Sequence, residues 1–109
     1  MSLLKFLPMT NNTLKIWLID DHSLFRSGFK TLLSQIDNVK VTFEASDGAL
    51  FLEHLNKEQP DLVFLDISMP NIDGITATQI ALNKYPNINI IILSMFGERE
   101  YYTKLVEHG

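Results

Sequence analysis

Residues 61–74 read DLVFLDISMPNIDG. An apolar run from Leu62 to Leu65 ends on the carboxylate of Asp66, and Met69, Pro70 and Gly74 follow within a few positions. A short apolar run bounded by turn residues has the form of a strand buried on both faces. Taken alone, Asp66 is open to two readings: turn chemistry, or the acidic end of a reactive site.

The chain on either side settles what kind of fold holds this strand. LKIWLID (14–20), VKVTFEA (39–45) and INIIILS (88–94) are further apolar runs of strand length. Between and after them lie stretches of helical period. Residues 22–34 place Leu24, Phe25, Phe29, Leu32 and Leu33 on one stripe, and Phe51, Leu52 and Leu55 share a face in a stretch that opens at Asp47-Gly48 and ends before Pro60. Residues 75–85 form a third such stretch, stopped by Pro86, and 98–108 a fourth, with Tyr102, Leu105 and Val106 on one side. Strands this apolar, alternating with helices, require a parallel sheet covered on both faces, so the fold class is α/β.

The 109 residues, 46% hydrophobic and 20% charged, suffice for one globular domain with a core and are too few for two. A net charge of -4 gives no surface built for nucleic-acid phosphates, so DNA binding would have to come from elsewhere. The absence of cysteine excludes disulfides, thiol nucleophiles and Cys-zinc sites, and fits a cytoplasmic protein. MSLLKFLPM at the N-terminus carries a Lys and a Pro, lacks a small-residue cleavage site and is too short to cross a membrane. Residues 1–13 therefore read as an upstream arm, and 14–109 as the domain.

In open sheets of this kind, reactive groups collect beyond the carboxyl ends of the strands. Those ends carry Asp20 and Asp21, Ser46 and Asp47, Asp66, and Ser94. If the first and third strands are neighbours, Asp20, Asp21 and Asp66 share a crevice and repel one another unless a cation or proton compensates. An oxygen-only set suits Mg²⁺, and a carboxylate beside it can attack phosphorus to give an acyl phosphate. Asp66 is the best nucleophile, with Asp20 and Asp21 left to hold the metal. The plainer alternatives are that Asp21 caps the helix starting near His22, that Ser94 is only a strand-end hydroxyl, and that Asp73-Gly74 serves backbone geometry through a positive φ at glycine.

The segments DDHSLFRSG (20–28), DLVFLDISMPNIDG (61–74) and IIILSMF (91–96) together resemble the receiver domain of two-component response regulators. The wording DDHSLFRSGFKTLL is most similar to receivers that precede a LuxR/NarL-type helix-turn-helix. The resemblance implies a flavodoxin-like, doubly wound sheet of strand order 2-1-3-4. It implies Asp66 as phosphoacceptor, Asp21 as a direct Mg²⁺ ligand, Asp20 as a ligand through water, the Ser68 backbone carbonyl completing the metal shell, and Ser94 as the switch hydroxyl. The implied phosphodonor is a histidine kinase phosphohistidine or a small acyl phosphate, and the implied output is transcription through a DNA-binding domain outside this sequence.

Receivers normally continue into a fifth strand, preceded by a lysine that contacts the phosphoryl group, and a fifth helix. The sequence as given is expected to stop before them, and Lys104, on the fourth helix, does not match that lysine. The apolar fourth strand is then expected at a sheet edge, with dimerisation or strand exchange through the fourth strand and fourth helix. Phe96, Tyr101 and Tyr102 read as packing or interface residues before switch elements. Two other functions compete with signalling. A metal-dependent phosphatase with an aspartyl nucleophile would need an acid two residues after it, where Ser68 stands. A degenerate receiver would act only as an interaction module.

Overall fold

The computed structural model describes residues 13–94. Four strands and three helices alternate along them: β1 (Leu14–Ile19), α1 (Ser23–Leu33), β2 (Val39–Ala45), α2 (Gly48–Leu55), β3 (Leu62–Asp66), α3 (Gly74–Lys84) and β4 (Ile90–Leu93). The strands form one parallel sheet in the order β2-β1-β3-β4. The fold is the flavodoxin-like α/β arrangement the sequence implies. The fourth helix expected over 98–108 lies outside the described residues, as do Lys104, Phe96, Tyr101 and Tyr102.

Strand order explains the layering. The chain steps from β1 to β2 in one direction, then reverses through α2 and α3 towards β3 and β4, so right-handed crossovers put α1 on one face and α2 with α3 on the other. Side chains along β1 and β3 serve both faces. Ile16, Leu18, Leu62 and Phe64 pack with Leu33 of α1, while Trp17, Ile19, Val63 and Leu65 pack with Phe51, Leu55, Ala77 and Ala81 of α2 and α3. Each fully buried Leu, Ile or Phe contributes about 1.5–3 kcal/mol, so these two clusters hold the central strands in place.

The face that α1 buries differs from the sequence expectation. Phe29 and Leu33 pack against the sheet, with Phe29 meeting Phe64 edge-on at 4.8 Å between ring centroids and half-buried Phe25 stacked on Phe29 at 5.8 Å, whereas Leu24 and Leu32 are 87% and 61% exposed. Two apolar rows run along this helix, one at 25, 29 and 33 and one at 24 and 32. Only one can face a flat sheet, and the row carrying two Phe rings removes more apolar area from water.

Candidate functional site

The register sets the site. Ile19 pairs with Leu65, which brings Asp20 and Asp66 abreast at the carboxyl ends of β1 and β3. The Asp20 N–H donates to the Ala45 carbonyl at 3.0 Å, and the Arg26 guanidinium donates to the Asp20 carbonyl, so the turn after β1 is held from both sides. Asp20 and Asp66 are buried, 2% and 1% exposed, while Asp21 is open to solvent. These are the only buried charged residues among those described.

His22 stands over the three carboxylates. Its Nδ1 lies 3.0 Å from Asp20 Oδ1, 3.2 Å from Asp21 Oδ1 and 3.2 Å from Asp66 Oδ2, and its backbone N–H donates to Asp20 Oδ1 at 2.7 Å. Oxygen and nitrogen ligand atoms of all four residues fall within 4.8 Å of one another. An imidazole thus stands beside the three carboxylates expected from the strand ends. Asp21 does not cap α1. The N-cap is His22, whose side chain makes no capping bond.

The electrostatics follow from burial. Removal from water, reinforced by the charge of Asp20, pushes the Asp66 carboxyl up to about 6, against the opposing pull of the Ser68 N–H and of His22. His22 moves up from its ordinary value, chiefly through its hydrogen bond with Asp20, with the charges of Asp21, Asp20 and Asp66 adding to the shift and partial desolvation opposing it. One oxygen is left over: Asp20 Oδ2 is buried and has no hydrogen-bond partner among the described residues. A buried carboxylate oxygen without a partner costs about 1–3 kcal/mol or more, so the cluster is short of positive charge or donors.

The loop from Asp66 to Gly74 is fixed by its turn residues. Asn71 adopts φ 68°, the Ile72 N–H donates to the Pro70 carbonyl at 2.8 Å, and the Gly74 N–H returns to the Ile67 carbonyl at 2.7 Å. Asp73 caps α3 by accepting from the Thr76 N–H at 2.8 Å. The positive φ of this loop therefore belongs to Asn71, and Gly74 is needed for a different reason. A Cβ there would collide with the Asp66 carbonyl oxygen and lie 2.8 Å from Ile67 Cα. Asp47 ties the loop to α2: it caps that helix through the Leu50 N–H at 2.8 Å and accepts from Asn71 Nδ2 at 3.2 Å.

Ser68 stands two residues beyond Asp66, and its N–H donates to Asp66 Oδ1 at 3.2 Å. Ser94 follows Leu93, the register partner of Asp66, and its buried hydroxyl has no hydrogen-bond partner among the described residues. The structure so brings Asp20, Asp21 and Asp66 into one cluster, sets Ser68 against Asp66, and leaves Ser94 one residue past the neighbouring strand end.

The sequence pattern of the response regulator receiver domain family matches residues 16–109. The chain belongs to this family. Among the curated relatives of this receiver, the transcriptional regulatory protein DegU of Brevibacillus brevis is 33% identical over 101 residues, covering 93% of this chain and 43% of DegU. The oxygen regulatory protein NreC of Staphylococcus carnosus is 33% identical over 97 residues, covering 88% of this chain and 45% of NreC. Of solved structures, the receiver domain of the putative response regulator NarL from Mycobacterium tuberculosis superposes with a TM-score of 0.79 at 31% identity, over 90% of this chain and 79% of that one. The RcsB response regulator of Salmonella typhimurium gives 0.82 at 27% identity, over 90% of this chain and 50% of that one. The receiver spans less than half the length of these curated relatives.

Two parts of the receiver's site escape a reading of strand ends. His22 was legible only as a helix-start residue near acids; its position among three carboxylates depends on the β1–β3 register. Arg26 joins the Asp20 carbonyl to Glu44 on β2, with Nε 3.2 Å from Glu44 Oε1, and Lys30 Nζ reaches Glu44 Oε2 at 2.7 Å. These charges are far apart in sequence and meet only because β1 and β2 are neighbours.

Proposed function

We propose that the chain is the phosphoacceptor of a two-component signalling pathway, with Asp66 taking a phosphoryl group from a histidine kinase phosphohistidine or a small acyl phosphate. The observation that carries this reading is the buried Asp66 carboxylate, placed beside Asp20 at the strand ends and aligned by the Ser68 N–H. An Asp66 carboxylate oxygen attacks phosphorus, the P–N bond of the donor or the P–O bond of the acyl phosphate breaks, and the leaving group departs as imidazole or carboxylate. Asp66 then carries an acyl phosphate. This is a signalling modification of the protein itself, not turnover of a separate substrate.

The residues fit a Mg²⁺ ion: Asp20, Asp21 and Asp66 would supply hard oxygen ligands, the family resemblance adds the Ser68 carbonyl as a fourth, and Asp20 Oδ2, without a partner among the described residues, is the atom most in need of a cation. Bound there, the ion would neutralise the carboxylates and the oxygens of the arriving phosphoryl group. His22 must then swing away from Asp20 and Asp66, which its 44% exposed side chain permits. Ser94, one residue past the register partner of Asp66 and with a buried hydroxyl that has no partner among the described residues, would donate to the phosphoryl group and so report its arrival. The relatives named as transcriptional regulators point to transcription as the output, through a DNA-binding region outside this sequence. A histidine kinase as donor would have this chain act in the cytoplasm, and no described helix is long and apolar enough to cross a membrane.

The test is incubation with Mg²⁺ and acetyl phosphate, followed by intact-mass measurement. One phosphoryl adduct on the wild type, absent from Asp66→Asn and from reactions with EDTA, is the expected result. Turnover of unrelated phosphate esters would indicate a phosphatase instead. A chain that forms no adduct and binds no Mg²⁺ would be a degenerate receiver acting by contact alone.

A further inference from the structure

β2 holds both ends of the Asp20 backbone, and the way it does so depends on one extra residue. Ile16 pairs with Val41 and Trp17 with Phe43, so Thr42 is inserted between two successive partners of β1. Such a bulge exchanges the faces of the residues beyond it. Val39 and Val41 accordingly pack on the α1 side of the sheet, whereas Phe43 and Ala45 pack on the side of α2 and α3. Glu44, between the last two, is sent to the α1 side, where it meets Arg26 Nε at 3.2 Å and Lys30 Nζ at 2.7 Å. Regular alternation from Val39 onward would point its carboxylate into the other layer. The Arg26 guanidinium directs a second N–H to the Asp20 carbonyl, while the Asp20 N–H donates to the Ala45 carbonyl at 3.0 Å.

We propose that Arg26, anchored by Glu44, is a positioning residue of the cation site, an inference that rests on the Mg²⁺ reading above. The Asp20 carbonyl and the Asp21 N–H belong to one planar peptide unit. A guanidinium bonded to that carbonyl fixes the rotation of the unit, and with it the directions in which the Asp20 and Asp21 side chains leave the backbone. Two carboxylates that repel one another need such a hold, because their own charges drive them apart until an ion arrives. The contact is with the peptide: among the described residues, the Arg26 side chain bonds to the Asp20 carbonyl and to Glu44, and to no carboxylate of the cluster. Its planar fork spans the carbonyl and Glu44 at once, which a lysine ammonium does not reproduce. Removal of Arg26 leaves Glu44 paired with Lys30, so no charge is stranded and the fold should survive.

The sign of the effect separates positioning from charge. Loss of a positive side chain near an acidic site strengthens Mg²⁺ binding by electrostatics alone, whereas loss of a positioning group weakens it. Mg²⁺ titrations of the whole chain at constant ionic strength, followed by backbone amide chemical shifts, read the affinity. Arg26→Met should raise the Mg²⁺ dissociation constant roughly tenfold, the lower end of what is lost with groups that orient a metal's ligands. Lys30→Met removes the same charge from the same glutamate without touching Asp20, and should leave the constant within about twofold of wild type. Adduct formation with acetyl phosphate should split in the same way. Arg26→Met should need more Mg²⁺ for half-saturation yet reach a maximal rate within about twofold of wild type, because Asp66 itself is untouched. An Arg26→Met chain that binds Mg²⁺ as tightly as wild type, or more tightly, overturns the proposal, and so does an equal weakening in Lys30→Met. If Arg26→Met fails to fold, Arg26→Lys is measured against the same outcomes. A wild type that binds no Mg²⁺ overturns the cation reading itself, and that result is plain before any variant is compared.

Discussion

A carboxyl group cut off from water favours its neutral form, and Asp66 illustrates the effect with a second carboxylate beside it. Its value is raised from 3.8 to about 6 by burial first and by Asp20 second, so the folded chain binds this proton more tightly than the unfolded one. The sign follows: the contribution to stability is full below pH 3.8, is lost as pH rises to about 6, and stays lost above that. His22 acts in the same direction at higher pH, since its raised value gives stability that is present below 6.5 and lost as pH passes through its folded value. Asp66→Asn should therefore be more stable than wild type at pH 8 without Mg²⁺, by about 1–3 kcal/mol, with the gap closing near pH 4. Urea titrations of both proteins at several pH values would show it. A gap independent of pH would mean that charge on Asp66 is not what strains the site.

At the scale of elements, sequence and structure agree most where an element has one way to satisfy its side chains. β3 was legible because Leu62 to Leu65 are apolar without a break, and only a central strand buries both faces. Helix α1 was half legible, since Leu24 and Leu32 continue an apolar period that the sheet then leaves exposed; periodicity counts apolar residues but does not say which row meets a partner. Gly74 was misread for a related reason. A glycine after Asp suggests an unusual φ, whereas here the constraint is the backbone of Asp66 and Ile67 packed against the start of α3. Two glycine substitutions should consequently diverge. Gly74→Ala should cost about 2–4 kcal/mol and impair phosphorylation by displacing the Asp66 backbone. Gly28→Ala, inside α1 with nothing within 4 Å of the added methyl, should stabilise by about 0.5–1 kcal/mol, read as a rise in melting temperature.

Across the whole molecule, the acidic cluster joins the two central strands at one end of the sheet, so its electrostatics bear on global unfolding. Asp20 belongs to the turn leaving β1 and Asp66 to the end of β3, and unfolding separates them. A cation bound by both is released when the sheet opens, which links Mg²⁺ affinity to stability by mass action. At a concentration 100 times its dissociation constant, an ion bound only by the folded chain stabilises by about 2.7 kcal/mol. For a domain of this size that corresponds to a rise in melting temperature of roughly 10 °C. Thermal melts at neutral pH in EDTA and then in increasing MgCl₂ should show such a rise in wild type, and a much smaller one in Asp20→Asn. The proposed phosphoryl transfer would draw on the same carboxylates, so the Mg²⁺ concentration that half-saturates the melting shift should match the one that half-saturates adduct formation with acetyl phosphate. If the melting temperature responds equally in wild type and Asp20→Asn, the ion binds elsewhere and the strand-end carboxylates do not form the metal site.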